Sequence, residues 1–187
     1  MTKSLRLLLV GITTALLLVL AGCDTAQTDS NTTNANKSTT QTTAKASAGS
    51  ESTMSKMTIY VPLDNGKGVT PKLITVDSNK KTMAYAVSFI LDEDSRQDYP
   101  IFPKGTKVNG VNLKGDTAII DLSKEFLSDS NLDGLSAQLR LASLVNTVTE
   151  FNGVKKVQFL VNGKKVDSYG GYDLSVPMER MDKLIVK

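Results

Sequence analysis

Three sets of residues in this 187-residue chain are of types that could do chemistry. Cys23 is the only cysteine, and it directly follows Leu20-Ala21-Gly22. Small residues there let the chain lie extended in a signal peptidase, and the thiol after the cut can accept a diacylglyceryl group. The second set is Asp129-Ser130-Asn131-Leu132-Asp133-Gly134, which copies the first half of a calcium loop, D-x-N-x-D-G. A full loop needs a bidentate acid at its twelfth position. That position is Arg140, whose charge repels a cation. Asp129, Asn131 and Asp133 are therefore disfavoured as metal ligands, and Asp133 is expected to cap a helix. The third set is Asp92, Glu93, Asp94 and Asp98. Glycan hydrolysis needs two acids flanking one bond at a set separation. Acids crowded into one stretch do not supply that, and the run reads as a solvated helix end and loop.

The composition excludes more than it offers. There is no histidine, which removes the commonest general base and the commonest metal ligand. One cysteine forbids an intrachain disulfide. No G-x-S-x-G occurs, and a serine nucleophile would lack a histidine base, although a lysine base stays open. No catalytic residue, metal or cofactor is assigned. The formal net charge is +3, but Lys3 and Arg6 lie in the first segment, which leaves 20 basic against 19 acidic residues. The basic residues are scattered without interleaved aromatics, so no nucleic-acid partner is expected.

The elements that hold these residues fall into three parts. Residues 1–22 read as a lipoprotein signal peptide, with Lys3 and Arg6 ahead of an apolar run over residues 7–20. That run is short for a spanning helix, which needs ~20 residues, and this disfavours an uncleaved anchor. Residues 23–56 follow as the lipidated cysteine and a disordered tether. Ser and Thr fill 15 of positions 24–56, and no aromatic, Leu, Ile or Val is present to offset the entropy of ordering. A flexible coil of that length spans roughly 30 Å. Residues 57–187 then form one domain.

That domain is organised around residues 134–164. Leu141, Leu144, Val145, Val148 and Phe151 recur at helical spacing. Asn152-Gly153 stops the helix. Val157, Phe159 and Val161 then alternate as one face of a strand, which Asn162-Gly163 closes with a hairpin signal. Asn146, set among apolar residues, is expected to make a buried structural hydrogen bond. Upstream, strands are expected over residues 57–63 and 73–76. A helix capped by Asp77 or Ser78 is expected over residues 80–91, and a strand pair over 106–113 and 117–122 with a bulge at Gly110. A short return over 165–168 and a last strand over 184–186 complete the reading. Tyr169-Gly170-Gly171-Tyr172 is either a partner-facing loop or a turn packed on the domain edge. The order ββαββαβ predicts an α+β two-layer sandwich, a mixed or antiparallel sheet with two helices on one face.

Several blocks carry a family resemblance: Phe102-Pro103-Lys104-Gly105-Thr106, Thr117-Ala118-Ile119-Ile120-Asp121-Leu122-Ser123, residues 141–163, and Asp173-Leu174-Ser175-Val176-Pro177-Met178. In that order they resemble the GerMN family of sporulation and spore-germination lipoproteins of Gram-positive bacteria. The stretch 91–101 lacks the Gly-Pro step of the family, and one such domain stands here where the namesake protein carries two. The resemblance implies a fold like the ring-building modules of secretion-like assemblies, a Gram-positive host, and a non-enzymatic role.

Together these readings give an expectation. The chain would be held to the outer face of the cell membrane by lipid on Cys23, where it binds another envelope protein or itself. The alternative is a peptidoglycan-directed binding or hydrolytic accessory factor. A two-lobed solute-binding protein is disfavoured, since about 130 residues is small for that architecture.

Overall fold

The computed structural model describes residues 53–129 and 132–187. Cys23 and Asn131 lie outside the described residues, as do the signal and most of the tether. The strand β1 (Met54–Pro62) pairs antiparallel with β2 (Val69–Asp77) along its whole length. Helix α1 (Met83–Asp94) follows, then β3 (Val108–Lys114) and β4 (Thr117–Leu122). Helix α2 (Gly134–Val148) leads into β5 (Lys156–Val161). Four two-residue strands end the fold: β6 (Lys164–Lys165), β7 (Ser168–Tyr169), β8 (Tyr172–Asp173) and β9 (Met178–Glu179).

The α+β class and the ββαββαβ order are those expected. The main sheet runs β3-β4-β5-β6, with β9 added to β5. The connection through α2 makes β4 and β5 parallel, with Thr117 opposite Lys156 and Leu122 opposite Val161. The other pairings in that sheet are antiparallel. Its register shifts between Val108 and Gly110, the bulge foreseen at that glycine.

The first hairpin differs from expectation, because it is a two-stranded sheet of its own. Helix α2 explains the separation. The backbone N–H of Tyr60 in β1 donates to Thr147 Oγ1 of α2 at 2.8 Å, so a helix takes a position where a further strand would bond. Helix α2 is consequently covered on more than one side. Every residue from Leu139 to Val148 is buried. Leu141, Leu144, Val145 and Val148 share the main core with Ile120, Leu122, Val157 and Phe159 of the sheet. Leu139 and Ala142 pack instead with Tyr60 and Val69 of the hairpin.

Local chemistry sets most boundaries. Asp133 caps α2, its carboxylate accepting from Ser136 N at 2.8 Å. Asn162 (φ 47°) and Gly163 (φ 74°) both sit in the left-handed region that a two-residue hairpin turn of this hand requires. Helix α1 starts later than expected and is capped by Thr82, whose hydroxyl accepts from Tyr85 N at 3.2 Å. A short 3-10 turn over Ser78–Lys80 intervenes, and Asp77 is spent on Lys80 at 3.0 Å. The last segment is a 3-10 turn (Asp182–Leu184) followed by a single bridge between Val69 and Ile185, rather than a strand over 184–186.

Candidate functional site

The calcium-like loop is closed by a side chain. Arg140, on α2, has only 5 % of its side chain exposed, and its Nη2 donates to Asp129 Oδ2 at 2.9 Å. Its Nη1 donates to Tyr169 Oη at 2.7 Å, and its Nε donates to the carbonyl of Ile101. Tyr169 is buried, stacks on Phe126 at 4.4 Å between ring centroids, and donates from its hydroxyl to the Phe126 carbonyl. Burial raises the Tyr169 phenol, against the lowering effect of Arg140. Of the two sequence readings of the Tyr169–Tyr172 turn, packing against the domain therefore describes Tyr169. Among the described residues, no group of three or more His, Cys, Asp or Glu is placed to hold a metal ion.

The acidic run divides into different roles. Glu93 pairs with Lys72 at 3.2 Å and with Arg96 at 3.0 Å. Asp92 and Asp98 are exposed. Asp94 corrects the reading of the run as solvated, because it is buried, with 8 % exposure. It accepts from the backbone N–H groups of Ile101 at 3.0 Å and Phe102 at 2.9 Å. Burial raises its carboxyl pKa, while those two N–H groups and Arg140 act to lower it. Ile101 is thus held from both sides, its N–H by Asp94 and its carbonyl by Arg140. The separation in sequence hid this, since the run looked local and its partners lie seven and eight residues on.

A second polar cluster fastens the C-terminal arm. Asn146 is fully buried and bonds both backbone groups of Met181, accepting from its N at 2.8 Å and donating to its O at 3.3 Å. The structural hydrogen bond expected of Asn146 is therefore present. Beside it Arg180 pairs with Glu150 at 2.7 Å, and its guanidinium lies 5.1 Å from the centroid of the Tyr60 ring. Burial and the Glu150 hydrogen bond raise the Tyr60 phenol. The sequence pointed to Asn146 but not to Arg180.

Clefts open on the surface of the described residues. One, of about 500 Å³, has Met57, Leu113, Phe151 and Val154 among its lining residues and lies by the edge strands β1 and β3. Another, of about 700 Å³, lies where the β1–β2 turn meets the C-terminal end of α1.

Two helices packed with a mixed sheet, together with a separate hairpin closed over α2, define a small α+β domain. The family described as "Germane: Sporulation and spore germination" matches residues 58–167. The chain belongs to that family. It is 28% identical over 168 residues to the spore germination protein GerM of Bacillus subtilis (strain 168), covering 85% of this chain and 44% of that protein. The chain thus spans less than half the length of that relative. Its fold is similar to the tandem GerMN domains of the sporulation protein GerM from Bacillus subtilis. That match has a TM-score of 0.54 at 21% identity, over 70% of this chain and 48% of that one. The first GerMN domain of the same protein gives 0.53 at 23% identity, over 68% and 99% respectively. These likenesses establish the fold.

Proposed function

We propose that this chain is a lipid-anchored, extracytoplasmic interaction module of the cell envelope, acting in sporulation or germination through contacts rather than catalysis. The observation that carries the anchoring is Leu20-Ala21-Gly22-Cys23 after a short apolar run, ahead of a Ser/Thr-rich stretch. The two acyl chains of a diacylglyceryl group on Cys23 would hold it stably, since one chain alone gives only marginal binding. Family membership supports the process served. The non-catalytic role rests on how the chemically able residues are used. Asp94, Arg140 and Asn146 hold loops and the C-terminal arm, and Glu93 is spent on Lys72 and Arg96.

In-cell crosslinking of the full chain with mass spectrometry tests this reading. Crosslinks to a membrane protein or to a second copy are expected, and Cys23→Ala should move the protein out of the membrane fraction. Release of soluble fragments when the full chain is incubated with purified peptidoglycan would overturn the non-catalytic role. Retention of Cys23→Ala in the membrane would overturn the anchor.

A further inference from the structure

We propose that the groove between the β1–β2 turn and the end of α1 receives a basic segment of a partner polypeptide, a Lys or Arg flanked by apolar residues. This rests on the interaction-module reading and gives it a surface. The groove holds about 700 Å³. Its floor is apolar, with Ile90 and Leu139 buried and Val61 and Ile101 half-buried. Such a floor suits the methylene stem of a long basic side chain and its apolar neighbours.

Acids outnumber bases around that floor. Asp64, Glu93, Asp94 and Asp98 line it, against Lys72 alone. Glu93 is paired with Lys72 at 3.2 Å and with Arg96 at 3.0 Å, and buried Asp94 accepts from two backbone N–H groups, so the exposed acids of the rim are Asp64 and Asp98. Helix α1 ends at Asp94, so the negative pole of its dipole is directed to the same place. Tyr99 stands at the mouth with 91 % exposure, an aromatic face available to a cation. Apolar floor, acidic rim and exposed ring together match a cationic amphiphilic chain, and they disfavour an acidic or purely apolar one. Ile101, fixed between Asp94 and Arg140, keeps this wall in place without a ligand, so little ordering is left for binding to impose.

The test uses the full-length lipoprotein in its own membrane. A photo-crosslinking residue is placed at Tyr99, and in a second strain at Leu113, which is exposed and does not line the groove. Adducts at position 99 are expected on a partner peptide carrying Lys or Arg beside an apolar residue. Asp64→Lys with Asp98→Lys, both exposed positions, should lower their yield about tenfold, and raised salt should lower it as well. Lys72→Glu, which removes the cation of the lining, should raise the yield. Adducts to a second copy of this chain or to an acidic segment overturn the proposed occupant. So does a yield that the charge changes leave unaltered. Adducts at 113 with none at 99 overturn the groove and leave the module reading intact. Absence of protein adducts at both positions overturns both.

Discussion

Arg140 Nη2 donates to Asp129 Oδ2 at 2.9 Å, joining the twelfth position of the Asp129 loop to its first. In a calcium loop these two positions meet through the metal. Here a guanidinium carried by α2 supplies the positive charge, and its remaining donors bind Ile101 and Tyr169. Three segments far apart in sequence thus share one buried cation.

Arg140→Met should therefore cost about 3 kcal/mol in denaturant unfolding. That is the lower end of the range for breaking a buried pair, because a third of the Asp129 side chain is exposed. Calcium should leave the unfolding midpoint of the unaltered protein where it was. A loss below about 1 kcal/mol, in the range of surface pairs, would show that the three segments hold without the guanidinium.

Asp133 and Asp94 should respond to pH in opposite senses. The Asp133 carboxyl is lowered below its usual 3.8, first by Ser136 N–H and then by the Ser136 hydroxyl. A depressed folded value gives stability that is complete above 3.8 and lost as pH falls through that lower value. Asp133→Asn keeps an N-cap but removes this acid-range loss. Asp94 is raised, chiefly by burial, so its contribution is present below 3.8 and lost as pH rises through the folded value. Asp94→Asn also leaves one of two backbone donors facing an amide NH₂, a cost of about 1–3 kcal/mol that should shrink as pH rises. Unfolding midpoints from pH 2 to 7 for the three proteins check both signs.

Asn146→Ala should loosen the C-terminal arm more than the rest. It leaves Met181 N and O without their side-chain partner, a cost of about 1–3 kcal/mol. Hydrogen exchange should quicken at Met181 and its neighbours while amides in β4 and β5 stay protected. Equal acceleration throughout would mean that Asn146 supports the whole core.

What the sequence revealed follows the range of each interaction. Leu141, Leu144, Val145 and Val148 are read correctly because periodicity is local to the helix, whereas Phe151, read in the same stripe, lies beyond α2, which ends at Val148 ahead of Asn152-Gly153. Asp133, Gly110 and Asn162-Gly163 are read correctly because caps, bulges and tight turns are decided within a few residues. The separate hairpin was not legible, since it depends on Thr147 reaching Tyr60, 87 positions away. Arg140 was recognised as an obstacle to calcium, but its bonds to Ile101 and Tyr169 depend on tertiary contacts. The groove was hidden for the same reason. Asp64 and Asp98 share one lining only after the β1–β2 turn folds beside the end of α1.

A last prediction concerns Gly170, which lies in the Tyr169–Tyr172 turn against α2. An added Cβ there would come within 2.2 Å of Ala137 Cβ, and the residue has φ 53°. Gly170→Ala should therefore destabilise by about 1–3 kcal/mol from overpacking, with a further cost of about 1 kcal/mol for the left-handed backbone. Ala137→Gly alone should cost about 1 kcal/mol as a glycine inside a helix. Combining the two removes the clash with Ala137 but leaves the Leu132 side chain at 3.2 Å and the backbone strain. The double variant should then be more stable than the sum of the single losses by about 1 kcal/mol or more, measured as a double-mutant cycle. Simple additivity would mean that the turn moves off α2 to admit the methyl group. Tyr169 would then leave Phe126, and the loss of that stacking would appear in near-ultraviolet circular dichroism.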